Sequence, residues 1–423
     1  MTVVEIRPGV ARGSIPAPPS KSYTHRALVV GHLAHREYTV RRPLDADDTR
    51  ATARALSALG SRVRFGRDRW TISPRTRLDR TPSAIDCGES GTTLRFVAAA
   101  AALSDRVVRL NGRGRLPERP IAALFGALEE LGATIDRPAV GRGLPAVVRG
   151  PIHGGSVRLD ASQSSQFVSA LLLVLPTVTG VSRVDLVGPI VSEPYIRSTL
   201  AVLRRHGIRL QARARGFRVP GDQRYRGRGF TVPGDASSAA YLWTAAAVTG
   251  GRVRVAGIPS GLPQADLTVL DLLRRAGAHV RRSGTGATVT ARKLHAFRMN
   301  LTPAPDLYPL AGVLAASIPA TSHLAGAAHV IHKESDRREG TTILARAMGA
   351  RVRREGTGLA IQGRSPPTHF RLRGLADHRL VMSAAVGALA ADGRSTIGDA
   401  RSVAKSFPGF WTALASLRTE VPG

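Results

Sequence analysis

A pattern that returns about every 70 residues constrains this chain more than any other feature. An amphipathic helical segment runs into a glycine and then into a short alternating segment at 56–65 (Gly60), 124–135 (Gly132), 200–210 (Gly207), 270–280 (Gly277) and 344–352 (Gly349). Glycine at that place is what a helix end in the left-handed conformation needs. Val63 with Phe65, and Ile208 with Leu210, alternate as a strand half-buried on a sheet would. A degenerate sixth copy spans 410–421, with Arg418 in the place of the glycine. A second series has the same period. Small or polar residues open Ala-rich apolar helices at Ser20-Lys21-Ser22, Glu89-Ser90-Gly91-Thr92-Thr93, Ser164-Ser165-Gln166, Asp235-Ala236-Ser237-Ser238, Asp306-Leu307-Tyr308 and Asp377-His378-Arg379.

Stretches as apolar as 96–103, 171–175 and 381–389 can only be buried, whereas the glycine-capped helices have the mixed pattern of a covering layer. Each repeat therefore holds one buried helix, one outer helix and several short strands. Six such repeats predict an α/β protein of two similar domains, three repeats in each. Segments 106–110, 181–186 and 251–255 are strand-like, which argues against a two-helix solenoid. The Gly- and Arg-rich stretch 221–229 is the expected junction, giving one lobe of 19–229 and another of 1–18 plus 230–423, completed by the N-terminal strand.

The 61 basic residues outnumber the 30 acidic ones, for a formal charge of +31. Such a field suits either nucleic acid or small anions drawn into a cleft. Nucleic-acid binders concentrate charge and interleave aromatics, but here arginine is spread along the chain and aromatics make up 4%. Small anionic substrates are the expected partners. All but four of the basic residues are arginine, the lysines being Lys21, Lys293, Lys333 and Lys405. A lysine that survives that bias marks a place where a compact ammonium is needed and a planar guanidinium fails. Lys293 is read as a solvated surface charge. No run approaches the ~20 apolar residues of a membrane span, the longest being 168–175. Residues 1–13 lack the charged start and apolar block of a secretory signal. Cys87 is the single cysteine, read as buried beside a strand end and unreactive. A cytoplasmic monomer is expected, with no intramolecular disulfide.

Helix N-termini present unpaired N–H groups and the positive end of the dipole, so several buried helices opening on one surface would form an anion site. The residues beside these caps point the same way, because Lys21, Arg26, Arg95, Gln166, Asp306, His378 and Arg379 are more ionic than capping requires.

Ten motifs in order carry a resemblance to a known family. They are Pro18-Pro19-Ser20-Lys21-Ser22 with Arg26, Leu44-Asp45-Ala46-Asp47-Asp48-Thr49, Gly88 to Arg95, Glu118-Arg119-Pro120, Ser164 to Phe167, Glu193-Pro194-Tyr195, Gly234 to Ser238, Lys333-Glu334-Ser335-Asp336-Arg337, Asp377-His378-Arg379 and Lys405-Ser406-Phe407-Pro408. From about residue 7 to residue 415 the chain resembles the EPSP synthases. The resemblance implies two domains, each of three βαβαββ units around buried parallel helices, an inside-out α/β barrel with a cleft between the domains.

It also implies transfer of the enolpyruvyl group of phosphoenolpyruvate to the 5-hydroxyl of shikimate 3-phosphate, without cofactor or metal. Lys21, Ser22, Arg26, Ser164, Ser165, Ser192, Tyr195, Asp306 and Lys333 would hold shikimate 3-phosphate. Lys21, Gly91, Arg119, Arg337, Arg379 and Lys405 would hold phosphoenolpyruvate, with Gln166 bridging both ligands and Thr92 and His378 in support. Asp306 is assigned to the hydroxyl proton and Glu334 to the methylene carbon, with Lys21 beside them. Tyr23, His25 and Trp243 are left to packing or the surface.

Glu89 and His329 stand where members of the family carry Asn; Glu89 is not counted as a ligand and the role of His329 is open. UDP-N-acetylglucosamine enolpyruvyl transferases carry Lys-Asn in place of Lys21-Ser22 and a mobile-loop cysteine that Cys87 does not match. RNA 3′-phosphate cyclases lack the Lys-Glu-Ser-Asp-Arg and Asp-His-Arg signatures. A basic nucleic-acid-binding scaffold is the non-enzymatic alternative.

Overall fold

The computed structural model describes residues 2–73, 84–138 and 142–420, so Val421, the end of the sixth repeat copy, lies outside the described residues. The chain divides into two units, 19–232 and 1–18 with 233–423. The first carries α1 (Lys21–Leu33), α2 (Asp47–Ala58), α3 (Gly91–Ala101), α4 (Ala122–Glu130), α5 (Ser165–Val174) and α6 (Glu193–Arg205). The second carries α7 (Ala236–Val248), α8 (Thr268–Arg275), α9 (Tyr308–Ala316), α10 (Arg337–Ala347), α11 (His378–Ala390) and α12 (Phe410–Leu417). No helix among the described residues is long and apolar enough to cross a membrane.

The odd-numbered helices form the cores. In the first unit α1, α3 and α5 touch one another, and in the second α7, α9 and α11 do so. Every residue of α9 is buried, as is every residue of α11 from His378 to Leu389. Helices with no polar face cannot meet water, so each set of three is enclosed by strands and by the even-numbered helices.

Each unit has three small mixed sheets. Five of the six share one order, a parallel pair extended by an antiparallel hairpin. The N-terminal strand Val10–Pro16 makes such a parallel pair with Arg252–Ala256, Gly13 opposite Val253, and so closes a sheet of the second unit. Alternation sends Val253 and Val255 inward and Arg252 and Arg254 outward.

The predicted helix-ending glycines adopt positive φ in all five copies, at 107° for Gly60, 107° for Gly132, 74° for Gly207, 99° for Gly277 and 86° for Gly349. α12, which has no such glycine, runs directly into the strand Arg418–Thr419. Two strand expectations need correction. Ile208 is buried, but 208–210 form no strand, because the Gln223 side chain accepts from the Arg209 amide at 2.8 Å and donates to its carbonyl at 2.9 Å in place of a ladder partner. The strand begins at Gln211 and is exposed throughout. Phe65 lies in the strand Arg62–Phe65 but is 44% exposed, propped edge-on against Trp70 and beneath the Arg50 guanidinium.

α9 and α10 meet at Gly312, where an added Cβ would overlap the Thr341 methyl. Thr341 cannot rotate away cheaply, since it is buried and its hydroxyl donates to the Arg337 carbonyl at 2.6 Å. Gly312→Ala is expected to lower stability by about 1–3 kcal/mol in chemical unfolding, the usual penalty for overpacking a tight contact.

Candidate active site

Lys21 stands at the first position of α1, and its ammonium pairs with Asp48 of α2 at 3.0 Å, both side chains largely buried. One turn along α1, Arg26 is 3% exposed and its guanidinium is committed to the protein. Its Nε donates to Thr199 at 2.8 Å, Nη1 to the Ser22 carbonyl at 2.8 Å and Nη2 to the Tyr195 carbonyl at 2.9 Å. Burial lowers its pKa to about 10, so it stays charged at neutral pH. Arg26 thereby ties α1 to α6 and fixes the backbone of Ser22 and Tyr195. Ser192 adopts φ 54° just before α6.

At the start of α3, Ser90 caps the helix by accepting from the Thr93 amide. Arg95 lies over the Phe167 ring, donates to Gln166 Oε1 at 2.8 Å and to the Pro120 carbonyl at 2.6 Å, while Gln166 donates to Thr92 at 3.0 Å. Ser164 caps α5 by accepting from the Gln166 amide. A Cβ on Gly91 would lie 2.8 Å from the Arg119 guanidinium and against Arg95, so glycine is what lets two cations close over the α3 N-terminus. Lys21, Gly91, Thr92, Arg119, Ser164, Ser165, Gln166, Ser192 and Tyr195 thus belong to one unit, most of them at the starts of the buried helices α1, α3 and α5, with Ser192 and Tyr195 at the start of α6 and Arg119 ahead of α4.

The second unit handles charge differently. Arg337, the first residue of α10, is 1% exposed and surrounded by carboxylates: Asp306 at 2.6 Å, Glu334 at 2.7 Å and Asp377 at 2.8 Å. Arg379 in the first turn of α11 pairs with the other oxygen of Asp306 at 2.7 Å. Asp377 is fully buried, caps α11 through the Arg379 amide at 2.8 Å and accepts from Ser335 at 3.2 Å. Asp336 caps α10 by accepting from two amides at 3.0 Å. His378 is buried with Nδ1 3.8 Å from Asp377. Lys333 is half-buried just ahead of Glu334, and Lys405 is half-buried at the end of the 3-10 turn Ala400–Lys405, which packs on α11.

Burial alone would raise the Asp306 pKa, but the charges of Arg379, Arg337 and Lys333 hold it well below the usual carboxylate range. The direction is the same for Asp377, where burial raises the pKa but Arg337 and His378 together lower it by more. For Arg337, Asp377, Glu334 and Asp306 outweigh burial and raise its pKa. His329 is buried and its pKa is pushed down to about 3, first by burial and then by Lys333, so it is neutral. Asp306 is 19% exposed, against 1% for Arg337 and 0% for Asp377, which leaves it the reachable carboxylate joining the two arginines.

Asp48 and Asp377 do not appear among the site residues expected from sequence, although both lie inside the motifs; Arg95 is read there as an ionic residue beside the α3 cap, with no ligand assigned to it. Their signal was an acidic or basic residue within a few positions of a helix start; their pairing needs the folded chain. Glu89 is exposed beside Gly114, and Cys87 is buried with its thiol pKa raised to about 12 by burial. Among the described residues no group of three or more His, Cys, Asp or Glu is placed to hold a metal ion.

A family model described as EPSP synthase (3-phosphoshikimate 1-carboxyvinyltransferase) matches residues 7–414. The chain belongs to the EPSP synthase family. Relatives named 3-phosphoshikimate 1-carboxyvinyltransferase include that of Methanocorpusculum labreanum, 38% identical over 402 residues and 94% of both chains. That of Halobacterium salinarum is 40% identical over 430 residues and 99% of both chains. The structure superposes on the EPSP synthase of Acinetobacter baumannii with a TM-score of 0.82 at 25% identity, covering 99% of this chain and 98% of the other.

Within this chain the carboxylate–arginine cluster links stability to pH. A depressed folded pKa stabilises fully above the unfolded carboxyl value of about 3.9, and that contribution drains away as the pH falls from there toward the folded value. Urea unfolding of the wild type is expected to show a steep loss of stability below about pH 4. Arg337→Met, which removes the charge holding the carboxylates ionised, is expected to flatten that slope; an unchanged slope would contradict the assignment.

Proposed function

We propose that the protein transfers the enolpyruvyl group of phosphoenolpyruvate to the 5-hydroxyl of shikimate 3-phosphate and releases phosphate, a step on the route to chorismate. The family supplies the reaction. The observation within the structure that carries it is the charge at the buried helices. None of α1, α3, α5, α7, α9 and α11 has an acidic residue in its first turn, while α2, α6, α8 and α10 do. Three of the six carry cations in or near that turn, Lys21, Arg95 and Arg379. Cations beside a helix N-terminus oppose the dipole, an arrangement that becomes favourable when an anion sits there.

In this reading Lys21, Ser22, Ser164, Ser165, Ser192 and Tyr195 hold shikimate 3-phosphate, with Arg26 setting the backbone from which two of them project. Gly91, Arg119, Gln166, Arg337, Arg379 and Lys405 are assigned to phosphoenolpyruvate on the family resemblance, with Lys333 and His378 adding positive charge. Arg337 acts mainly by aligning Asp306, Glu334 and Asp377. The methylene carbon takes a proton, the 5-hydroxyl oxygen bonds to the adjacent carbon as its proton passes to Asp306, and the tetrahedral adduct then loses phosphate and a methyl proton. Glu334 serves the carbon-bound proton in both directions.

The Asp306 carboxylate is a weak base while two arginines neutralise it. When Arg379 turns to the carboxylate of phosphoenolpyruvate, Asp306 loses one of these charges and its basicity rises, so the base is activated by loading of the substrate. We also infer three βαβαββ repeats in each unit, supported by the shared order of five sheets, and a monomer working in the cytoplasm.

Mixing the purified protein with both substrates is expected to release phosphate at a rate that depends on each. Asp306→Asn keeps the size and hydrogen-bonding capacity but not the base. It is expected to slow turnover by about 10²–10⁴-fold with shikimate 3-phosphate affinity within a few-fold of wild type. Turnover near that of the wild type would refute the role of Asp306, and absence of phosphate release from the wild type would refute the reaction.

A further inference from the structure

His25 is fully buried on α1, one turn after Lys21, and neither the binding groups nor the acid–base pair makes use of it. Its Nδ1 lies 2.8 Å from the Thr52 hydroxyl of α2, which lies 2.7 Å from the Thr93 hydroxyl of α3. Thr93 in turn contacts the Ser90 hydroxyl at 2.8 Å and the Asp48 carbonyl at 3.2 Å. All four side chains are at most 1% exposed. This chain of polar atoms crosses three helices directly behind Lys21, Asp48 and Gly91, the residues at their open ends.

The direction of the protons along it can be worked out. A carbonyl only accepts, so the single Thr93 hydrogen that reaches Asp48 and Ser90 is not available to Thr52. Thr52 therefore donates to Thr93, and Thr52 can receive a hydrogen only from His25 Nδ1. That makes His25 the Nδ1–H tautomer, with a lone pair on Nε2. Nε2 has no hydrogen-bond partner among the described residues. The opposite wiring would leave a buried N–H there without an acceptor, which is rarer and costlier than a bare lone pair. The ring is neutral: burial, and then the charges of Lys21 and Arg26, push its pKa well below the ordinary histidine value.

We propose that His25 is a positioning residue that starts a one-way relay of hydrogen bonds, His25 to Thr52 to Thr93 to Ser90 and the Asp48 carbonyl, fixing where the Lys21 ammonium and the Gly91 amide stand. The first link joins α1 to α2 and the second joins α2 to α3, so loss of the first donor lets α1 shift against α2 and α3. Hydroxyls alone could satisfy one another in either direction. The imidazole gives the chain a fixed polarity and a rigid origin. This inference rests on the substrate assignment above only for its kinetic consequence; the tautomer and the relay are independent of it.

Two substitutions separate positioning from mere packing. In Asn the amide nitrogen falls near the place of Nδ1, and in Gln near that of Nε2, so His25→Asn keeps the donor and His25→Gln does not. His25→Gln is expected to lower kcat/KM for shikimate 3-phosphate by about tenfold, the scale of one buried hydrogen bond lost, with His25→Asn within about threefold of wild type. Equal activity in the two variants would overturn the proposal. Should both fail to fold, Thr52→Val cuts the relay at its second link with little change in volume and is expected to give a similar loss; wild-type kinetics in Thr52→Val would overturn it. Nitrogen NMR of histidine-labelled wild-type protein is expected to show, at neutral pH, a resonance absent from Thr52→Val that belongs to a neutral Nδ1–H ring. An Nε2–H or charged ring for His25 would overturn the proposal even if the activity itself were absent.

Discussion

Positive charge held against the positive ends of buried helices is the constraint on which the rest of the structure turns. Each such cation is unfavourable by roughly 0.3–1 kcal/mol through the dipole alone, before any cost of burial. The fold meets the difficulty with internal carboxylates placed a few ångströms away. Lys21 of α1 has Asp48 and Arg379 of α11 has Asp306, while Arg337, at the start of the outer helix α10, is held by Asp306, Glu334 and Asp377. Removing one partner from such a group leaves a buried charge uncompensated, which costs more than the pair contributes, so the arrangement fixes geometry more than it adds stability.

The two units solve the problem with different chemistry. In 19–232, apart from the Lys21–Asp48 ion pair, the helix starts are joined by neutral hydroxyls, a carboxamide and backbone carbonyls, with Arg26 and Arg95 reaching between helices to carbonyl, hydroxyl and amide oxygens. In the other unit the links are ionic, and the same carboxylates that hold Arg337 and Arg379 can take up and return a proton. The Gly91 backbone lies where two guanidiniums crowd it, and Gly312 lies where α10 must approach α9 closely enough to carry Arg337 into position.

Much of this was legible before any coordinates. The buried and outer helices, their glycine ends and the ionic residues at the buried starts followed from period, polarity and the conformational needs of glycine. Local patterns could not say which charges meet. Arg26 was expected to hold shikimate 3-phosphate, and its place in the motif carried no sign that its guanidinium also bonds Tyr195 and Thr199 on α6, distant in sequence. Asp377 read as a helix cap, which it is, but its second task of holding Arg337 depends on a contact across 40 residues. Strand 208–210 was misread because alternation says nothing of Gln223, whose side chain takes the place of a ladder partner. His25 was set aside as packing, since a lone histidine on an apolar helix carries no sign of the hydroxyls that will face it.

The central claim is that this site adds a proton to a methylene carbon and later removes one from the resulting methyl group. Running the reaction in heavy water and following that carbon by NMR tests it most directly. Deuterium in the vinyl group of the product, and in phosphoenolpyruvate recovered at partial conversion, is the result the account predicts. A product formed with phosphate release but without deuterium at that carbon would contradict it.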